Sequence, residues 1–282
     1  MSEVRVDPLT GAPVVIVGPR QDRPNLPADT CPFCPGGLEA PEPYRVRWFT
    51  NRWPPLAAGR AEVVLYSPDH RATFASLGVD GARRVIDLWA ERTRELGSRP
   101  DVAYVLVFEN RGPEVGATIA HPHGQVYAFE DVPEVPRREL DTDRCALCAV
   151  EPGGQLVARA GDWRAWVPPA ASWPYELTVA PVDHLGDLPA LDGASRDGMA
   201  AVLVDGLGRL DRLFAAPMPY MLWVHQRPTD GRRWPASHVH VHVAPLHRAA
   251  GTPRFVAAGE LGSGVYFNPV DPAQAAAELR RA

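Results

Sequence analysis

VVLYSPDH, residues 63–70, and LTVAPVDH, residues 177–184, decide how this chain is read. Each is an apolar run that closes on a histidine, with a proline and an aspartate just before it. In both cases the histidine lies 39 residues after the first cysteine of a Cys-x2-Cys pair, CPFC at 31–34 and CALC at 145–148. Matched offsets of this kind are the mark of an internal repeat.

The match extends outward from both stretches. A helical spacing of apolar residues follows each histidine and opens on Asp-Gly-Ala, at Asp80 and at Asp192, where aspartate reads as an N-cap. A strand follows, AYVLVFENR from Ala103 and PYMLWVHQR from Pro219. A histidine cluster comes last, HPH at 121–123 and HVHVH at 238–242. The order in each copy is therefore cysteine pair, strands, histidine, helix, strand, histidine cluster. Strands with one long helix per copy predict an α+β fold, two tandem repeats sharing an extended, mostly antiparallel sheet. The boundary falls near residue 140, after EDVPEVPRREL, giving units 1–140 and 141–282.

Composition excludes several functions. The net charge is −5, so no basic footprint points to nucleic acid. No apolar run is long enough to span a bilayer, and MSEVRVDPLTG lacks the pattern of a secretory signal, so a cytoplasmic protein is expected. All 29 basic residues are arginine, which removes P-loop and Schiff-base lysine chemistry.

In a reducing compartment a Cys-x2-Cys pair means metal or redox chemistry. Two cysteines and two histidines suit tetrahedral zinc with no open position, hence a structural ion. The first unit offers Cys31, Cys34, His70 and His121; the second offers Cys145, Cys148, His184 and His238. The second unit has further candidates. His238, His240 and His242 share one strand face, because side chains alternate with period two. With His225 and Glu139 such a face suits a different metal.

His123 falls outside both zinc sets. Two residues after His121 it turns to the same side, and a neutral imidazole there suits nucleophilic attack on phosphorus. Gln125, again on that side, suits amide donation to a phosphoryl oxygen. The upstream turn RGPEVGAT, with Gly112, Gly116 and Thr118, suits backbone N–H donation to an anion.

HPHGQ at 121–125, with VFENRG, SPDH, CPFC and the N-terminal DPLTG and VGPRQDRP, resembles the galactose-1-phosphate uridylyltransferase family of the histidine-triad superfamily. The resemblance runs from Arg5 to the C-terminal helix. It implies a histidine-triad-like fold and a UDP-glucose–hexose-1-phosphate uridylyltransferase working by ping-pong transfer. His123 attacks the α-phosphorus of UDP-glucose and releases glucose 1-phosphate; galactose 1-phosphate then takes the uridylyl group, giving UDP-galactose. It also implies phosphate contact by Arg20 and Arg23, nucleotide or phosphate contact by Asn51, Asn110, Gly116, Thr118 and Gln125, and a homodimer. Gly262, Ser263 and Gly264 resemble a loop at the sugar or phosphate end of the substrate. For the second metal it offers two sets: an iron-type set matching Glu139, His225, His240 and His242, and a zinc set matching Cys145, Cys148, His184 and His238. Zinc is preferred, since iron-type members tend to lack the second cysteine pair. The alternatives are an ADP-glucose-type phosphorylase, whose plant branch has serine in place of Pro122 and Gly124, and a histidine-triad nucleotide hydrolase, disfavoured by Gln125.

Overall fold

The computed structural model describes residues 3–18, 31–57 and 59–282. Chain order gives a hairpin of β1 (Glu3–Val6) and β2 (Pro13–Ile16), then β3 (Arg47–Thr50), β4 (Ala61–Leu65), α1 (Gly78–Gly97), β5 (Tyr104–Arg111) and β6 (His123–Phe129). The boundary segment forms α2 (Glu134–Leu140). The second unit continues with β7 (Leu156–Ala160), β8 (Trp163–Trp166), β9 (Leu177–Pro181), α3 (Gly193–Leu213), β10 (Tyr220–His225) and β11 (His240–Pro245). A small ribbon, β12 (His247–Ala249) and β13 (Thr252–Pro253), precedes α4 (Ala258–Ser263) and α5 (Pro272–Arg281).

One nine-stranded sheet in the order β3-β4-β6-β5-β10-β11-β9-β8-β7 carries both units, and every neighbouring pair is antiparallel. The fold is α+β. The units meet at β5 and β10, where Phe108 pairs with Trp223. Phe108 also pairs with Gln125 of β6, and Trp223 with His242 of β11. Equivalent residues therefore face one another at the centre, which places a local twofold axis between them. The axis relates β6 to β11, His123 to His240 and Gln125 to His242.

Strand periodicity divides the sheet into a core face and a chemical face. On β6, Gly124, Val126 and Ala128 are buried while His123, Gln125 and Tyr127 are half-buried; on β11, Val241 and Val243 are buried while His240 and His242 are half-buried. The buried sets join α1, α3 and α5 in one apolar core that includes Trp89, Trp163, Leu203 and Leu279. Each large side chain taken fully out of water there contributes about 1.5–3 kcal/mol. On the chemical face a smaller cluster of Phe33, Ala40, Val63 and Leu65 seats the Cys31–Cys34 knuckle on β4.

Of two expected helix caps, one is present and one is corrected. Asp192 caps α3, its carboxylate accepting from the Ser195 N–H at 2.8 Å. Asp80 does not cap α1, which begins at Gly78 directly from a 3-10 turn; Asp80 lies in its first turn, where a negative charge complements the helix dipole. Among the described residues, no helix is long and apolar enough to cross a membrane.

Candidate active site and metal centres

The knuckle after residue 30 and the β4 and β6 ends bring Cys31, Cys34, His70 and His121 together, their ligand atoms within 4.8 Å of one another. His121 is buried and presents Nδ1 to both sulfurs, 3.8 Å from Cys31 and 3.6 Å from Cys34; His70 presents Nδ1 at 3.6 Å from Cys34. Tetrahedral zinc, with Zn–S about 2.3 Å and Zn–N about 2.0–2.1 Å, would put sulfur and nitrogen about 3.6 Å apart, so the donor set fits. The other edge of His121 is fixed. Its Nε2 donates to the Ser67 carbonyl at 2.7 Å and lies 2.8 Å from the Tyr44 hydroxyl, which itself donates to the Phe33 carbonyl. Such outer partners set the tautomer of a ligating histidine. Burial holds the His121 pKa below its ordinary value, keeping the ring neutral as a ligand requires.

His123 opens β6 beside this cluster, its ring 5.2 Å from Phe33. Its Nδ1 lies 2.7 Å from the His121 carbonyl oxygen. A carbonyl only accepts, so the proton sits on Nδ1 and the lone pair on Nε2. Gln125 follows on the same face, its Oε1 accepting from Asn51 at 3.4 Å and from the Tyr127 hydroxyl at 3.1 Å. With its oxygen engaged twice, the amide turns its N–H donors outward. Asn51 is held in turn, its Oδ1 accepting from the Trp53 N–H. Asn110 lies near the end of β5, two residues beyond the Phe108 that pairs with Gln125. After β5 comes the turn of the RGPEVGAT motif. Gly112 (φ 101°) and Gly116 (φ 87°) take left-handed conformations that glycine adopts without strain, and Thr118 is half-buried just beyond. Gly124 is required by contact: a Cβ there would stand 2.1 Å from the Tyr66 hydroxyl oxygen.

The second unit repeats this construction. Cys145, Cys148, His184 and His238 converge within the same limit. His238 Nδ1 is 3.3 Å from Cys145 and 3.7 Å from Cys148, and His184 Nδ1 is 3.2 Å from Cys148. His238 Nε2 donates to the Pro181 carbonyl, and burial pushes its pKa down to about 4. His240 repeats His123, with Nδ1 2.7 Å from the His238 carbonyl.

Its neighbours differ. Glu139 of α2 meets His225, His240 and His242 in a third cluster, 2.8 Å from His225 Nδ1 and 3.5 Å from His240 Nε2. Burial alone would raise the Glu139 pKa, but its bonds to His225 and His240 outweigh that and hold it well below the carboxylate range. Burial keeps His225 and His242 neutral, with His240 adding to the effect at both. His242 Nε2 is buried with no hydrogen-bond partner, which fits a nitrogen that serves a cation. Three imidazoles and a carboxylate suit a transition metal such as iron or zinc. All four residues line a cavity of about 520 Å³. The two metal sets of this unit share no residue.

Two groups of expected residues remain. Arg20 and Arg23 fall outside the described residues. Gly262 and Ser263 do not form an open loop: they end α4, and Gly264 (φ 71°) is its left-handed cap. The Ser263 hydroxyl donates to the Gly259 carbonyl within the same turn. Tyr44, Tyr66 and Tyr127 were not foreseen. Tyr127 follows Gln125 by two residues, so the period of the strand could have found it; nothing local marks the other two.

The sequence matches the family description galactose-1-phosphate uridyl transferase, N-terminal domain, over residues 53–133, and the C-terminal domain over 142–261. It is similar to the galactose-1-phosphate uridylyltransferase of Thermotoga maritima, 33% identical over 99% of this chain and 98% of the relative. That of Streptomyces lividans is 37% identical over 99% and 86%. A solved uridylyltransferase superposes with a TM-score of 0.90 at 28% identity, covering 100% of this chain and 98% of that one. The chain belongs to the galactose-1-phosphate uridylyltransferase family.

Proposed function

We propose that this member of the galactose-1-phosphate uridylyltransferase family moves UMP from UDP-glucose to galactose 1-phosphate through a uridylyl group carried on His123 Nε2. The observation that carries the reading is the 2.7 Å bond from His123 Nδ1 to the His121 carbonyl. It fixes the tautomer with Nε2 as nucleophile and keeps an acceptor beside the proton when the ring becomes positive. In the first half-reaction the Nε2 lone pair forms a bond to the α-phosphorus. The bond from that phosphorus to the bridging oxygen breaks, and glucose 1-phosphate leaves with the electron pair. In the second, a phosphate oxygen of galactose 1-phosphate attacks the same phosphorus and the P–N bond breaks, releasing UDP-galactose. Transfer of this kind needs position and charge stabilisation more than covalent help. Gln125 supplies amide donors to the non-bridging oxygens, and Asn51 and Tyr127 position Gln125. The glycine turn with Gly116 and Thr118, together with Asn110, Arg20 and Arg23, would hold the nucleotide and its phosphates.

Zinc held by Cys31, Cys34, His70 and His121 would be structural, its coordination complete. His121 then links the knuckle to the nucleophile through its own carbonyl. Cys145, Cys148, His184 and His238 would hold a second zinc in the same way. Residues 1–140 and 141–282 are read as the two repeats. A homodimer is supported by two exposed apolar surfaces, the β1–β2 hairpin with Val4, Val6 and Leu9, and the stretch with Leu261, Val265 and Phe267. The α4 end with Gly262 to Gly264 lies on that second surface, so its substrate contact would be with a partner's site. Four cysteines that form no disulfide suit the cytoplasm.

The test is incubation with radiolabelled UDP-glucose, or ADP-glucose, without acceptor. A uridylyl adduct is expected, absent in His123→Ala. An adenylyl adduct alone would move the protein to the phosphorylases, and no adduct with either would remove His123 from the chemistry.

A further inference from the structure

We infer that the second unit contains its own nucleotide-binding site, a cavity that takes a nucleoside phosphate with the base in an apolar slot and the phosphate toward Glu139, His225, His240 and His242. The inference rests on reading the first unit as the nucleotide site, since the axis between β5 and β10 carries that site onto this cavity.

Three observations support it. The anchoring bond is repeated: His240 is held by the His238 carbonyl as His123 is by the His121 carbonyl, both at 2.7 Å. The space is present: the cavity of about 520 Å³ falls within the roughly 300–1,000 Å³ of small-ligand sites. Its lining divides into apolar side chains, among them Leu140, Leu147, Val150, Trp166 and Pro168, and polar ones, where Gln155, Thr178 and Ser237 accompany the clustered carboxylate and three imidazoles. That division matches a ligand with a flat, weakly polar body and a charged head. Lastly, the buried His242 Nε2 makes no hydrogen bond and stands 3.9 Å from Glu139 Oε1 at the polar end.

The charge at that end requires a cation. Glu139 alone would repel phosphate, whereas a divalent ion held by Glu139 and the three imidazoles reverses the local sign. The Cys145–His238 set shares no residue with this one, though Cys145 and His238 also line the cavity, so both ions can be present together. The knuckle contributes Leu147 to the slot. Leu147 occupies the place in CALC that Phe33 occupies in CPFC, and Phe33 packs edge-on against the His123 ring.

Native mass spectrometry of the metal-loaded protein titrated with UMP counts both metals and nucleotides per chain. Two UMP are expected for the wild type. Leu147→Trp changes a half-exposed knuckle residue that is not a ligand. It should bind one UMP with metal content unchanged. His242→Ala should lose the second UMP together with one metal ion. One UMP in the wild type, or two in Leu147→Trp, overturns the inference. Labelling of His123 by UDP-glucose is read separately. An adduct with a single UMP defeats only this second site; two UMP without an adduct defeat only the transfer reading.

Discussion

Strands β6 and β11 have the same place in the two halves of the sheet and serve different chemistry. Each begins with an imidazole whose Nδ1 is tied to the carbonyl two residues earlier. Each has a Cys-x2-Cys knuckle at one side and an apolar core beneath. What differs is the company of the second nitrogen. Around His123 stands the Gln125 amide, able to donate to phosphoryl oxygens while its own oxygen is held by Asn51 and Tyr127. Around His240 stand a carboxylate and two more imidazoles, which attract a cation instead. Presentation of a reactive nitrogen is therefore a property of the fold, and its use is set by two or three neighbours.

The strongest challenge to this comparison exchanges the two imidazoles' consequences. His123→Ala should abolish the adduct and lower kcat by at least about 10⁴-fold while keeping every metal. His240→Ala should keep the adduct and lose one metal ion, as read by elemental analysis. Equal losses from the two would erase the distinction. Gln125→Ala should reduce kcat by about 10²–10³-fold, the cost of one donor to developing charge. His242→Gln, which copies the first unit's residue into the second, should leave kcat within a few fold while releasing the metal held with Glu139.

Below the chemical face the comparison can be sharpened by pH. Glu109 of β5 stands where β10 has Val224, and burial pushes its pKa up from 4.5 to about 7 even though it accepts from the Tyr220 hydroxyl at 2.9 Å. Between those values the folded chain keeps a proton that the unfolded chain has lost. Stability should thus fall as pH rises from 4.5 to 7, by up to about 3 kcal/mol, and then level off. Urea denaturation of Glu109→Gln should show that slope removed. The smallest expected effect is at Gly124, the counterpart of Val241. Gly124→Ala should destabilise by about 1–3 kcal/mol, because the Tyr66 hydroxyl already fills the space. A neutral result in thermal denaturation would show that Tyr66 moves aside without cost.

Much of this was legible in the chain. The paired 39-residue offsets, the alternation in HVHVH and the apolar runs before His70 and His184 are local patterns, and local patterns survive in sequence. All four cysteines and all histidines but His247 fall in a metal cluster or at His123, so few chemical residues were left to distract. Other features arise only in three dimensions. Alternation says that β5 and β10 are strands but not that they pair with each other. Tyr44 sits 77 residues from His121 and Tyr66 58 residues from Gly124, with no spacing rule to join them. Asp80 and Asp192 open the same tripeptide, yet only one caps, because the preceding 3-10 turn runs straight into α1.

The axis between Phe108 and Trp223 has one more consequence. In an assembly of two identical chains, any substitution is made in both halves at once, and a change useful to one site is imposed on the other. Here both halves are written separately in one polypeptide. Gln125 and His242 can differ, as can Asn110 and His225, without either choice constraining the other. With both halves in one chain, the two sites are independently adjustable on a shared frame.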